Sequence, residues 1–174
     1  MASADDCPPK VAEVCARAIG FVTAATGVTL EFDSDTLPVL DHYVRAARSA
    51  APEAQALVQM VAGVYFGEVV RRRLGGTWQA DDPDPGGWRV VLPGGLVVAP
   101  MAAAEAAITR DQPATAVLSG PPTILAAAEE VLERMAAVSD EVYFSLSGRF
   151  DTLEHVHETL VATAAARAEN QDDG

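Results

Sequence analysis

Residues 63–78 read GVYFGEVVRRRLGGTW, and the way this stretch folds decides the architecture. Apolar side chains run for several turns around one acid, Glu68, and then give way to Arg71, Arg72, Arg73, two glycines and Trp78. Upstream, the apolar pattern continues through Phe66, Tyr65, Val64, Val61, Met60, Val58 and Leu57 to Ala51-Pro52. It predicts a helix over about 52–74. Pro52 fits a first turn, where no intrahelical N–H partner is needed, and Gly75 or Gly76 supplies a left-handed stop. A helix apolar on most sides is a central one. Gly63 and Gly67 each weaken it by up to ~1 kcal/mol relative to alanine, a cost usually offset by another backbone packed against the bare face.

Downstream come three strand signals: Thr77 to Ala80, Trp88 to Leu92 and Leu96 to Ala99. The loop DDPDPGG at 81–87 joins the first two, and Pro93-Gly94-Gly95 joins the last two. Apolar runs joined across Gly-Gly are a hairpin signature. The expectation is a small antiparallel β-meander packed on the central helix.

Upstream, Pro8-Pro9 opens a helix whose apolar stripe is Val11, Val14, Cys15, Ala18, Ile19 and Val22, ending at Gly27. Val28 to Phe32 fits a short strand or an extended link. A second helix starts near Ser34 or Asp35 and buries Leu37, Leu40, Val44 and Ala47. Asp41 lies on the shoulder of that face, four residues before Arg45, a spacing at which the two can pair.

Beyond the strands, an alanine-rich helix reaches about Arg110, and 111–113 break it. Ala116 to Leu118 is a short extended piece. Pro121-Pro122 start an amphipathic helix with Ile124, Leu125, Ala128, Val131, Leu132 and Met135 inward and Glu129, Glu130 and Glu133 outward. Residues 141–147 are ambiguous between strand and helix. Asp151 to Glu154 resembles a capping box that opens a last helix to about Ala168. The fold class is thus α+β: several helices around a small antiparallel meander. It forms a single domain over 8–168, with flexible tails at 1–7 and 169–174.

The 174 residues carry 12 basic and 25 acidic side chains, a net charge of -13. That field repels phosphate backbones and anionic headgroups, so neither nucleic acid nor membrane is an expected partner. MASADDCPPK lacks the basic-then-apolar layout of a secretory signal, and no run approaches the ~20 apolar residues of a membrane span. The expected location is the cytoplasm. Cys7 and Cys15 are the only cysteines. Along a helix they would sit about 12 Å apart, beyond disulfide reach, with Cys15 in the core and Cys7 an exposed thiol.

Candidate chemistry is sparse. Glu68 lies one turn before Arg72 in the favourable acid-first order. A carboxylate beside an arginine has a lowered pKa, which suits a structural ion pair better than a general acid. The three arginines point in directions about 100° apart and form no phosphate clamp, although one can reach the acidic loop at Asp81, Asp82 and Asp84. That loop lacks the remaining ligands of a calcium loop. His155 and His157 point about 200° apart on a helix, so no metal site is expected. Nucleophile-elbow and phosphate-loop signatures are absent, and no cofactor is expected. Trp78 and Trp88 read either as a half-buried cross-strand pair or as a binding platform.

The motifs L-x-x-L-D at 37–41, GVYFGEVVRRRLGGTW at 63–78 and WRVVLPGGLVVAP at 88–100 resemble a group of small bacterial domains of unknown function, over roughly residues 28–110. The resemblance implies a compact α+β domain and no assigned activity. The leading expectation is a non-catalytic, acidic bacterial protein that binds another protein, in the manner of an immunity protein, adaptor or chaperone; a basic partner would fit its charge. Its contact candidates are Trp78, Trp88, Arg71, Arg73, Asp82 and Asp84. The alternative is a small-ligand binder or enzyme with a pocket around Glu68, Arg72, Asp41 and Trp78.

Overall fold

The computed structural model describes residues 7–111 and 114–172. Helix α1 spans Pro9–Thr26 and ends at Gly27, whose φ of 75° is the left-handed stop expected there. Residues 28–33 form a link without strand pairing, and a 3-10 turn over Ser34–Thr36 leads into α2, Leu37–Ala47. The cap of that turn is Asp33, ahead of both Ser34 and Asp35 where the start was expected, and it accepts from the Asp35 backbone N–H at 3.2 Å.

Helix α3 spans Pro52–Leu74 and is closed by Gly75 in the left-handed region, φ 72°. From Val61 to Arg71 every residue is buried. The first turns are not: Leu57 is exposed, because the helix protrudes there beyond the elements that cover its second half. The glycines sit where other residues need the space. A Cβ on Gly63 would come within 2.6 Å of the Met101 methyl, and one on Gly67 within 2.7 Å of Pro100 Cγ as well as against the Trp78 ring. The close neighbours are chiefly side chains rather than the second backbone expected.

The sheet has the antiparallel order β1-β2-β3-β4. Strand β1, Thr77–Gln79, pairs with β2, Arg89–Val91, placing Trp78 opposite Val90. Strand β3, Val97–Val98, follows the tight turn at Gly94 and Gly95, whose φ values are 88° and 91°. Helix α4, Pro100–Thr109, lays Ala103, Ala104, Ala106 and Ala107 against α3 and its neighbours. Alanine lets the helices approach closely. The chain then returns to add β4, Leu118–Ser119, on the β3 edge.

Helix α5, Pro122–Arg134, buries only Ala128 and Val131 fully. Leu125, Leu132 and Met135 are half-covered. The ambiguous stretch resolves as a short helix α6, Asp140–Tyr143, and then α7, Leu146–Asp172. Helix α7 therefore begins five residues earlier than expected and continues through 169–172, which were expected as tail. Its early start has a distant cause. Asp41 on α2 is buried, and its carboxylate accepts from Leu146 N–H at 2.6 Å, Ser147 N–H at 3.2 Å and Ser147 Oγ at 2.5 Å. Ser145 Oγ accepts from Gly148 N–H at 2.9 Å. These acceptors satisfy N–H groups that a helix start leaves orphaned. Residues 1–6 and 173–174 of the expected tails, and 112–113 of the expected break, lie outside the described residues.

Candidate functional site

Glu68 sits at the centre of the best-defined polar cluster. Its side chain is 1% exposed and that of Arg71 is 0% exposed. Arg71 donates from Nε to Oε2 and from Nη2 to Oε1, both at 2.9 Å. Arg72 Nε donates to Oε1 at 2.7 Å, and Trp78 Nε1 donates to Oε2 at 2.9 Å. Burial alone would raise the Glu68 pKa. The hydrogen bonds from Arg71, Arg72 and Trp78 outweigh it and hold the carboxyl below its usual range. Glu68 is thus a permanent anion whose lone pairs are taken.

The cluster extends outward through Arg72, whose guanidinium lies 4.1 Å from the centre of the Phe32 ring. Phe32 stacks on Tyr65 at 4.9 Å and donates its backbone N–H to Tyr65 Oη at 2.6 Å. These contacts hold Phe32 in the left-handed region, φ 57°, a conformation that costs a non-glycine residue about 1–3 kcal/mol. On the other side Trp78 meets Trp88 edge-on at 6.5 Å, and Lys10 lies 5.2 Å over the Trp88 ring.

Several expectations change here. Arg71, Trp78 and Trp88 were contact candidates, but the first is fully buried and the tryptophans are 6% and 3% exposed. They offer no face to a protein partner, because they close the core between α3 and the sheet. Arg45 does not pair with Asp41, which is occupied by α7, but with Glu141 at 2.6 Å. None of the three arginines is paired with the acidic loop: Arg71 and Arg72 turn to Glu68, and Arg73 lies 3.9 Å from Glu154. The loop instead folds on itself. Asp82 and Asp84 accept from the Asp84 and Gly86 backbone N–H groups at 2.8 and 3.0 Å, and both remain exposed, as does Arg73.

Cys7 is half-buried rather than exposed. Its pKa is pushed up to about 11, first by burial and then by Glu68 facing it. Cys15 is buried, with Sγ 3.8 Å from the Val64 carbonyl, and both thiols are free. His157 is buried and His155 exposed. Among the described residues, no group of three or more His, Cys, Asp or Glu side chains is placed to hold a metal, and no helix is long and apolar enough to cross a membrane.

A cavity of about 380 Å³ lies elsewhere. Its walls come from the sheet edge, the end of α5, the 135–139 connection, α6 and the first turns of α7. Val98, Leu118, Leu132, Val138, Tyr143 and Leu153 give it a mostly apolar lining. Val138 and Tyr143 are also exposed, so the mouth carries apolar surface in water. Arg149 is the cation in the wall, 4% exposed, with its guanidinium 5.8 Å from the Tyr143 ring and 5.9 Å from that of Phe144. Glu68, Arg72, Asp41 and Trp78, the residues expected around a pocket, do not line it. Asp41 and Glu68 take their donors from different elements and do not converge on one site. Sequence reasoning missed Arg149. The available signal was a single arginine beside Phe150 and one turn from Leu146 and Leu153.

No family model, curated protein or solved structure matches the chain.

Proposed function

We propose that this chain is a non-catalytic binding protein whose ligand is a small, largely apolar molecule held between the sheet edge, the α5–α6 connection and α7. The cavity of about 380 Å³ carries this reading. It falls within the range of about 300–1,000 Å³ for small-molecule sites, which are mostly apolar with a few placed polar groups. Exposed Val138 and Tyr143 at the mouth gain most from being covered. The non-catalytic part is supported by Glu68, whose lowered pKa and filled lone pairs leave it no proton to donate or accept near neutral pH.

The test is titration with N-phenyl-1-naphthylamine, a neutral apolar fluorophore. The expected result is saturable binding with one site per chain, lost in Ala137→Trp, which adds bulk from an exposed wall position. Unsaturable emission, or equal binding by Ala137→Trp, overturns the assignment.

A second reading rests on charge. With a net charge of -13 and Glu129, Glu130 and Glu133 exposed along α5, the surface suits a basic protein partner steered by its field. A pull-down that yields one basic protein, lost as salt rises, favours it. A pull-down insensitive to salt counts against it.

A further inference from the structure

Resting on the cavity reading above, we propose that the ligand is an uncharged, medium-chain molecule that the cavity encloses whole, head group included. The wall changes character with depth. Its floor takes Phe66 from α3, Val98 from β3, Ala103 from α4 and Val156 from α7, each 1% exposed or less. Its mouth carries Thr115, Glu133 and Val138, all exposed. The floor side chains are hydrocarbon and can neither donate nor accept a hydrogen bond. A charge brought down to them loses its water with nothing in return, whereas a methylene gains from the same burial.

The polar side chains between floor and mouth serve the protein itself. Thr152 Oγ donates to the Gly148 carbonyl at 2.9 Å. Arg149 and Tyr143 are engaged within the chain, the guanidinium lying 5.8 Å from the ring. Glu133 stands in water at the mouth. There it repels an anionic head, and solvent screens it too well to anchor a cation. What remains for the site to select on is hydrocarbon burial and length. The volume of about 380 Å³ takes roughly a dozen small groups at ~30 Å³ each, the share of one water molecule in the liquid. A chain of about eight to ten carbons fits inside with its head group. A much longer chain leaves its end in water.

The experiment displaces bound N-phenyl-1-naphthylamine from the full chain at neutral pH, first with 1-octanol, octanoate and octylammonium, which share one tail. Octanol is expected to displace the fluorophore at a concentration about tenfold or more below that of either ion, because only the ions must give up a charge's water. Displacement by octanoate or octylammonium as strong as that by octanol overturns the uncharged assignment while leaving the cavity standing. A series of straight-chain alcohols then measures length. Affinity is expected to rise about fourfold per added methylene and to stop rising by dodecanol. A gain that continues through tetradecanol overturns enclosure of the whole guest. Ala103→Val adds two methyl groups at the floor and is expected to bring the limit down by about two carbons. An unchanged limit in the folded variant overturns the placement of the chain end on that floor. The native-chain comparisons decide the matter even if Ala103→Val does not fold. Failure of the fluorophore itself to bind overturns the cavity reading instead.

Discussion

At the α3 end of the molecule, Glu68 is buried with two arginines and a tryptophan turned toward it. At the α7 end, Arg149 is almost as buried, but in the wall of an apolar cavity against two aromatic rings. The first region spends its polar groups on one another and closes. The second keeps space and a cation beside it. A buried charge surrounded by its counter-charges marks a place where the fold is held. Open space beside apolar side chains marks a place the fold leaves unfilled.

The sharpest way to break this comparison is to remove the acid. Glu68→Gln removes the carboxylate that faces the fully buried Arg71, and breaking such a pair costs about 3–5 kcal/mol. Urea unfolding followed by circular dichroism measures it. A cost below about 1 kcal/mol would place Glu68 outside the stabilising core of the fold. The same site has a pH signature. Its carboxyl titrates below 4.5 in the folded chain and near 4.5 when unfolded. Between those pH values the unfolded state binds more protons, so stability is full above about pH 4.5 and is lost as pH falls through the folded value. Thermal melts from pH 7 to pH 3 should show that fall in the native chain and a shallower one in Glu68→Gln.

Asp41→Ala comes next, at about 2 kcal/mol, since it strips acceptors from the buried start of α7. Hydrogen exchange should quicken at Leu146 and Ser147 before it does in α3. Uniform quickening would mean that the α7 start is not a separate unit. Arg149→Met should cost less, about 1–2 kcal/mol, because an apolar side chain of similar length can take its place in an apolar wall. A loss as large as that of Glu68→Gln would erase the contrast between the two regions.

The smallest effect is chemical. With its pKa at about 11, Cys7 should react with iodoacetamide at pH 8 about tenfold or more slowly in the folded chain than in urea. Equal rates would mean that Cys7 is not shielded from water in the folded chain.

Helix α3 was legible in the sequence almost to the residue, because its limits are set locally by Pro52 and Gly75. The strand pairing was legible for the same reason: the turn glycines lie between the partners. The α7 start was not, because the acceptor that holds it is Asp41, 105 residues away from Leu146. No window along the chain contains both. At Glu68 the sequence pointed to Arg72, four residues on, while the deeper partner is Arg71, three residues on. Both spacings bring side chains together on a helix, and only the neighbouring sheet decides which is enclosed. The cavity was illegible because α5 has an ordinary amphipathic pattern. The incomplete cover over Leu132 and Met135 depends on where α7 and β4 come to rest.

The long reach of Asp41 also orders events during synthesis. When α2 leaves the ribosome, the residues that will receive its carboxylate do not yet exist, and they arrive only after the central helix and the sheet have been made. A nascent chain stopped before residue 145 therefore holds an acid on the buried face of α2 with its α7 partners missing. The start of α7 is tied to the first half through this contact of long sequence separation, whose loop-closure entropy is met before the contact rewards it.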